Sequence, residues 1–229
     1  MRKWGAAAMV VLVASLAAAA LPGTSSAANE CNGIPRCVPI EGPWVSVPRD
    51  GEVVFALQCP HKQGIVGGTD ADASSIDIRV SFDGIPGSPV AFGRTTHTQA
   101  LFRAVSAHHA GGAFKPAIGC IPAPSSVRNT IAAKPTPSGP PLDLKFTNVP
   151  LTPGAQKTVT ISCPQGESLV DAWSATAFDS ATPPAPGLAS AIRVQTHQVG
   201  AKVLLAVSAS EALPASAHAQ VQVGVRCAS

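Results

Sequence analysis

The sequence contains no tyrosine, and its other aromatic residues are three tryptophans and seven phenylalanines among 229 residues. Sugar-binding β-sandwiches usually depend on exposed aromatic faces, and this sequence offers few aromatic residues for such a carbohydrate-binding surface. Charged residues make up only 13% of the chain. Removing residues 1–27 removes two positive charges and lowers the net charge from +3 to +1. The remaining near-neutral chain offers no basic footprint for nucleic acid or acidic lipid.

Long apolar runs are absent after the N-terminal segment, so no membrane span is expected there. At the start, Arg2 and Lys3 precede an apolar run over residues 5–21, and Ser25-Ser26-Ala27 follows it. This order is typical of a cleaved secretory signal peptide, here residues 1–27. An uncleaved anchor is the alternative, but a spanning helix needs about 20 apolar residues. We therefore expect a secreted, periplasmic or cell-envelope protein.

Amphipathic helical spacing is also lacking after the signal segment. Short β-branched runs lie instead between glycine, proline, serine and aspartate residues, which predicts an all-β fold. Six cysteines, an even number, follow the signal segment. In an exported chain such a count favours disulfides over free thiols.

Two parts of the chain match each other in the same order of landmarks, which indicates an internal duplication. Residues 53–60 match residues 157–164 without a gap, and each segment ends in Cys-Pro. The later matches are Thr96-His97 with Thr196-His197, Arg103–Ala107 with Leu205–Ala209, and the closing Cys120 with Cys227.

The phase of the cysteines predicts how they pair. Side chains alternate between the two faces of a strand. Phe55, Leu57 and Cys59 therefore share an apolar face, and Val223, Val225 and Cys227 share another. Two inward cysteines on different strands suit a disulfide between the sheets of a sandwich. The predicted pairs are Cys59–Cys120, Cys163–Cys227 and, closing a small loop, Cys31–Cys37.

These patterns predict two tandem antiparallel β-sandwich repeats, immunoglobulin-like in spacing. Each repeat carries an internal disulfide. The expected segments are the signal peptide (1–27), an N-terminal segment with the cysteine loop (28–42), the first repeat (43–122), a linker rich in proline and serine (123–141) and the second repeat (142–229).

The Cys-Pro opening, the Gly67-Gly68 pair and the closing cysteine resemble a pattern of small exported bacterial proteins with cysteine-bracketed β modules. The resemblance implies a β module that often has no assigned activity, and it carries no catalytic residues. Trp173 lies ten residues after Cys163, near the core tryptophan position of immunoglobulin-like folds. The first repeat has no such tryptophan, and the second has Asp171-Ala172 in place of the glycine pair.

Four residues are weak candidates for metal binding, namely Asp70, Asp72, His108 and His109. Adjacent histidines on a strand point apart, which makes them a poor chelating pair. The sequence Asp70–Ser74 alternates oxygen side chains like a calcium loop, but it lacks the glycine at the sixth position and the glutamate at the twelfth. A polar turn between strands and solvated loop histidines are the simpler interpretation. No cofactor is expected.

No catalytic pattern occurs in the chain. It has no Gly-x-Ser-x-Gly elbow and no pair of carboxylates that can be assigned to glycoside hydrolysis. We therefore expect a non-enzymatic protein that serves as a structural, cell-surface or ligand-binding element with an extracellular or envelope partner. The alternative is a secreted hydrolase whose site forms between the repeats, from divergent loops such as Asp83–Pro89 and Asp179–Pro186.

Overall fold

The computed structural model of the protein describes residues 30–32, 37–60, 64–83, 98–107, 110–122 and 142–228. These segments form thirteen β-strands and two short 3-10 helices. The prediction of an all-β fold is thus confirmed for this part of the chain. None of its helices is long and apolar enough to cross a membrane. The predicted signal peptide and linker, together with His61, His97, His108 and His109, lie outside the described residues.

The strands follow one another with short connections, except where undescribed segments intervene. In chain order they are β1 (Val38–Glu41), β2 (Trp44–Val47), β3 (Glu52–Gln58), β4 (Gly64–Ala73), β5 (Ile78–Asp83), β6 (Gln99–Ser106), β7 (Gly112–Pro122), β8 (Leu142–Pro150), β9 (Gln156–Ser162), β10 (Ser168–Phe178), β11 (Ile192–Val199), β12 (Lys202–Ala209) and β13 (Ala219–Ala228).

Seven strands form one long sheet that runs through both halves of the chain. Strand β7 pairs with β4 along one edge and with both β1 and β2 along the other. Strand β2 then pairs with β10, through Val45 opposite Ala177 and Trp44 opposite Phe178. Strands β13 and β8 complete the order. All these pairs are antiparallel, and the β2–β10 pair joins the two halves into a single sheet.

Two three-stranded sheets pack on the long sheet, one from each half. The first small sheet has the order β3-β6-β5, and the second has the order β9-β12-β11. Ala175 and Ala177 of β10 belong to the core under the first small sheet, whereas Phe178 belongs to the core under the second. Because neighbouring residues of a strand point to opposite faces, the two small sheets cover opposite faces of the long sheet.

Disulfides connect the layers in both halves. Cys59, just after β3, is bonded to Cys120 of β7, and Cys163, just after β9, is bonded to Cys227 of β13. Each bond therefore ties a small sheet to the long sheet, and all four cysteines are buried. The third disulfide is Cys31–Cys37. These three pairs are the ones expected from the phase and spacing of the cysteines.

Two details of the sequence interpretation were wrong. The segment Asp70–Ser74, expected to be a turn, lies mostly within β4, so the turn comes later, and β5 begins only at Ile78. The proposed match of Arg103–Ala107 with Leu205–Ala209 is offset by one residue. Phe55 is paired with Phe102, and the corresponding Val159 is paired with Leu205, so Phe102 rather than Arg103 is the counterpart of Leu205.

Candidate functional site

A cleft of about 620 Å³ lies between the two halves of the chain. The first half contributes Ser46 of β2, Arg49 of the following turn, Ser74-Ser75 after β4 and the segment 111–113 at the start of β7. The second half contributes most of the loop 183–189, which follows β10. The position of the cleft is a consequence of the β2–β10 pairing, which brings these remote segments together.

Proline and glycine shape the cleft. Pro183, Pro184 and Pro186 have fixed φ angles and no N–H group, so the loop forms an apolar wall that offers carbonyl groups but few donors. Gly111 and Gly112 open the opposite side. A Cβ atom at Gly112 would lie 3.0 Å from Ile78 and from the Ser74 hydroxyl, whereas one at Gly111 would make only ordinary contacts, at 3.6 Å or more.

Two of the three serines that line the cleft, Ser74 and Ser75, use their hydroxyl groups in structural hydrogen bonds. Ser74 Oγ accepts the Ala113 N–H at 2.9 Å. Ser75 Oγ donates to Asp77 Oδ2 at 3.2 Å and accepts the Asp77 N–H at 3.1 Å. Arg49 is the charged residue of the lining, and no histidine, cysteine or carboxylate is among the described lining residues. Among the described residues, the carboxylate that contacts a lining serine is that of Asp77, which lies outside the lining.

The metal candidates Asp70 and Asp72 lie on one face of β4. An extended strand cannot curl around a cation as a calcium loop does. Asp70 Oδ1 instead accepts the N–H of its neighbour Ala71 at 2.8 Å. The described residues contain no group of three His, Cys, Asp or Glu residues that could hold a metal ion. Of the described histidines, His197 in β11 and His218 before β13 are both exposed.

Glu30 lies beside these aspartates and next to the Cys31–Cys37 disulfide. Its side chain is 1% exposed. Burial raises the pKa of Glu30, its own backbone N–H lowers it in part, and the carboxylates of Asp70, Glu41 and Asp72 raise it further. The Glu30 backbone lies against Gly68 and Gly119, where a Cβ atom would collide with the Glu30 carbonyl oxygen. Gly68 and Gly119 therefore leave the space that Glu30 occupies.

Gln222 of β13 is a second buried polar residue that the sequence pattern misplaced, because it falls on the expected outward, polar face. It is fully buried. Its Oε1 accepts the Ala56 N–H at 2.7 Å and the Trp173 Nε1–H at 3.2 Å. Its Nε2 donates to the Ala56 carbonyl and to Asn148 Oδ1, both at 3.0 Å. The amide thus joins the long sheet of the second half to β3 of the first.

Comparison with known proteins finds no family model that matches the chain and no matching curated protein.

Proposed function

We propose that this chain is an exported, non-enzymatic β protein whose two immunoglobulin-like sandwich modules act as a structural or binding element of the cell surface or envelope. The observation that carries the proposal is the lining of the cleft between the halves. It combines proline, glycine, alanine, valine and three serines with one arginine, and its described residues include no histidine, cysteine or carboxylate. The signal-like N-terminus and three disulfides support export, since disulfides persist in oxidising compartments.

The lining indicates the chemistry of a suitable ligand. Apolar walls favour an apolar body, and the Arg49 guanidinium favours an anionic group at one end. The cleft therefore suits an extended apolar ligand that carries one carboxylate, sulfonate or phosphate group. The partner or ligand would be an extracellular or envelope molecule of that class.

Anilinonaphthalene sulfonate, an apolar dye with one anionic group, is a direct probe of the cleft. We expect it to bind the wild type with increased fluorescence. Gly111→Trp, at a lining position where a Cβ atom makes only ordinary contacts, would fill the cleft and abolish this binding. Arg49→Gln would weaken it about tenfold through loss of the charge-assisted contact. Val199→Trp, which adds the same side chain at a position already 54% exposed, is the matched control.

Equal dye binding by the wild type and the Gly111→Trp variant would refute the cleft as a ligand site. The non-enzymatic part of the proposal is tested separately, by labelling the full chain with fluorophosphonate and with covalent glycosidase probes. We expect no labelling above that of the denatured protein. Stoichiometric labelling of a residue at the junction of the halves would instead favour the hydrolase alternative.

A further inference from the structure

Besides the β2–β10 pairing, the two halves pack together through one row of residues in each half. In the first small sheet, Ala56 is paired with Leu101. In the long sheet, Gly224 lies between Trp173 and Phe146. These two rows pack together, with Val54, Ala56, Leu101 and Trp173 buried and Phe146 partly buried against them. The second half of the chain thus covers the part of the outward face of the first small sheet around Val54, Ala56 and Leu101, whereas Val105 and Arg79 of the same face are exposed.

Each of these rows has an equivalent in the other half of the chain, which is identified by its distance from the cysteine. Gly224 lies three residues before Cys227, and its equivalent is Ala117, three residues before Cys120. Ala117 is flanked by Asp70 and Glu41 on the neighbouring strands. Ala56 lies three residues before Cys59, and its equivalent is Thr160, three residues before Cys163. Thr160 is paired with Leu204, which in turn is paired with His197. The two counterparts lie at opposite ends of the molecule.

These counterpart surfaces carry opposite charges. The basic face, defined by Arg193, His197 and Lys202, lies on the second small sheet, whose three strands contain no aspartate or glutamate. All three side chains are exposed, and none has an ion-pair partner among the described residues. The acidic face consists of the exposed Glu41 and Asp72 and the half-buried Asp70 around the buried Ala117. Lys115, bridged to Glu41, is its single described cation.

We propose that a second copy of this chain docks head to tail, with the basic face of one molecule on the acidic face of the next. The contact reproduces the geometry that already joins the two halves within one chain. Strands β4 and β8 lie at the two ends of the long sheet within the described residues, so the sheet can continue from one molecule to the next. Because the two faces differ, the contact is heterologous and leads to open chains. The proposal concerns surfaces other than the cleft and does not depend on its function.

The intermolecular contact differs from the internal one in its chemistry. Trp173 and Phe146 are replaced by Asp70 and Glu41, and Ala56 by Thr160, so the apolar contact becomes a polar and charged one. Leu204, 36% exposed, is the apolar residue at its centre. Charge complementarity between exposed groups gives specificity and fast association but modest affinity, and salt screens it. The association is therefore reversible, whereas the internal contact is permanent.

Sedimentation of the full oxidised chain tests the proposal. At low salt we expect the average mass to rise with protein concentration beyond that of a dimer, and to return to the monomer mass in 1 M salt. The double variant Arg193→Glu/Lys202→Glu and the double variant Asp70→Lys/Asp72→Lys should each remain monomeric. Arg79→Glu and Asp179→Lys change the charge at exposed positions outside both faces and should associate like the wild type.

Mixing the two double variants gives a positive result, because association that is regained in the mixture cannot arise from a misfolded variant. Each variant keeps one intact face, and the two changed faces again carry opposite charges, so the mixture should associate although neither variant does so alone. A wild type that stays monomeric at every concentration in low salt would overturn the proposal. Binding of heparin, a polyanion, by the basic face of such a monomer would point to a different partner and would not rescue the proposal. A dimer that both double variants retain would also overturn it, because that would be a different interface.

Discussion

Glu30 shows how the energetics of one residue depend on burial. No other described residue provides a hydrogen-bond partner for its carboxylate oxygens. Burial, followed by the nearby carboxylates of Asp70, Glu41 and Asp72, raises the pKa of Glu30 above its ordinary value, although its own N–H offsets part of this effect. The folded protein therefore holds a proton that the unfolded chain has lost, over the interval between the two pKa values.

This difference gives a pH dependence of definite sign. The contribution of Glu30 to stability is constant below the unfolded-state pKa, about 4.3, and becomes less favourable as pH rises through the interval up to the folded-state pKa. Glu30→Gln removes the penalty. We expect the variant to melt at a higher temperature than the wild type at pH 7 and at the same temperature near pH 3.5. An equal gain at both pH values would contradict the charged-state explanation, and the exposed Glu211→Gln serves as the control.

Gln222 carries the second residue-scale prediction. Substitution by methionine keeps the volume but leaves the Ala56 N–H, the Ala56 carbonyl and the Trp173 Nε1–H without this partner. A buried polar group left unpaired costs roughly 1–3 kcal/mol. We expect Gln222→Met to lower the free energy of unfolding by about 3 kcal/mol in urea titrations. Gln220→Met, on the same face but partly exposed, should cost under about 1 kcal/mol; similar losses for both variants would refute the role of the network.

At the scale of elements, alternation along single strands predicted much of the fold. Strand β12 alternates between exposed and buried residues as a strand with one solvent face should. In β3, by contrast, every residue from Val53 to Leu57 is buried. The apolar outward residues Val54 and Ala56 were the available signal that another layer covers this sheet. The corresponding Thr158 and Thr160 mark the uncovered sheet of the second half.

What the sequence could not predict is the set of contacts between distant strands. The pairing of Val45 with Ala177 depends on twist and packing rather than on any local pattern. For the same reason, the sequence named the loops Asp83–Pro89 and Asp179–Pro186 only for an alternative hydrolase site, which stays a prediction, and it did not single out Arg49 or Gly111. Residues 84–89 of the first loop lie outside the described residues. The inward phase of the cysteines was a local property, and together with their spacing and the duplication it was enough to predict their partners.

The disulfides differ in what they should contribute, because they close loops of different length. Loops of 61 and 64 residues correspond to about 4 kcal/mol each in the chain-entropy model, and the loop of 6 to about 2 kcal/mol. We expect Cys163→Ala/Cys227→Ala to lower the unfolding free energy by about twice as much as Cys31→Ala/Cys37→Ala. Guanidinium titration of both double variants under oxidising conditions checks this. The reverse order would show that the small loop stabilises the acidic end of the sheet by more than chain entropy.

For the whole molecule, the shared sheet determines whether the two halves unfold together. The β2–β10 pairing, the Gln222 amide and the packing of Trp173 against the first small sheet all cross the boundary between them. We expect calorimetry to show one transition, with equal calorimetric and van't Hoff enthalpies.

Trp173→Ala tests this coupling, because it removes the largest side chain of the contact at a cost of about 3–5 kcal/mol. If the halves are coupled, the variant should lower the single melting temperature or split the transition in two. Val170→Ala, at a position 55% exposed on the same strand, should do neither. Two transitions in the wild type, only one of them sensitive to Trp173→Ala, would mean that each disulfide-stapled half is stable alone. The junction would then position the two sheets without stabilising them.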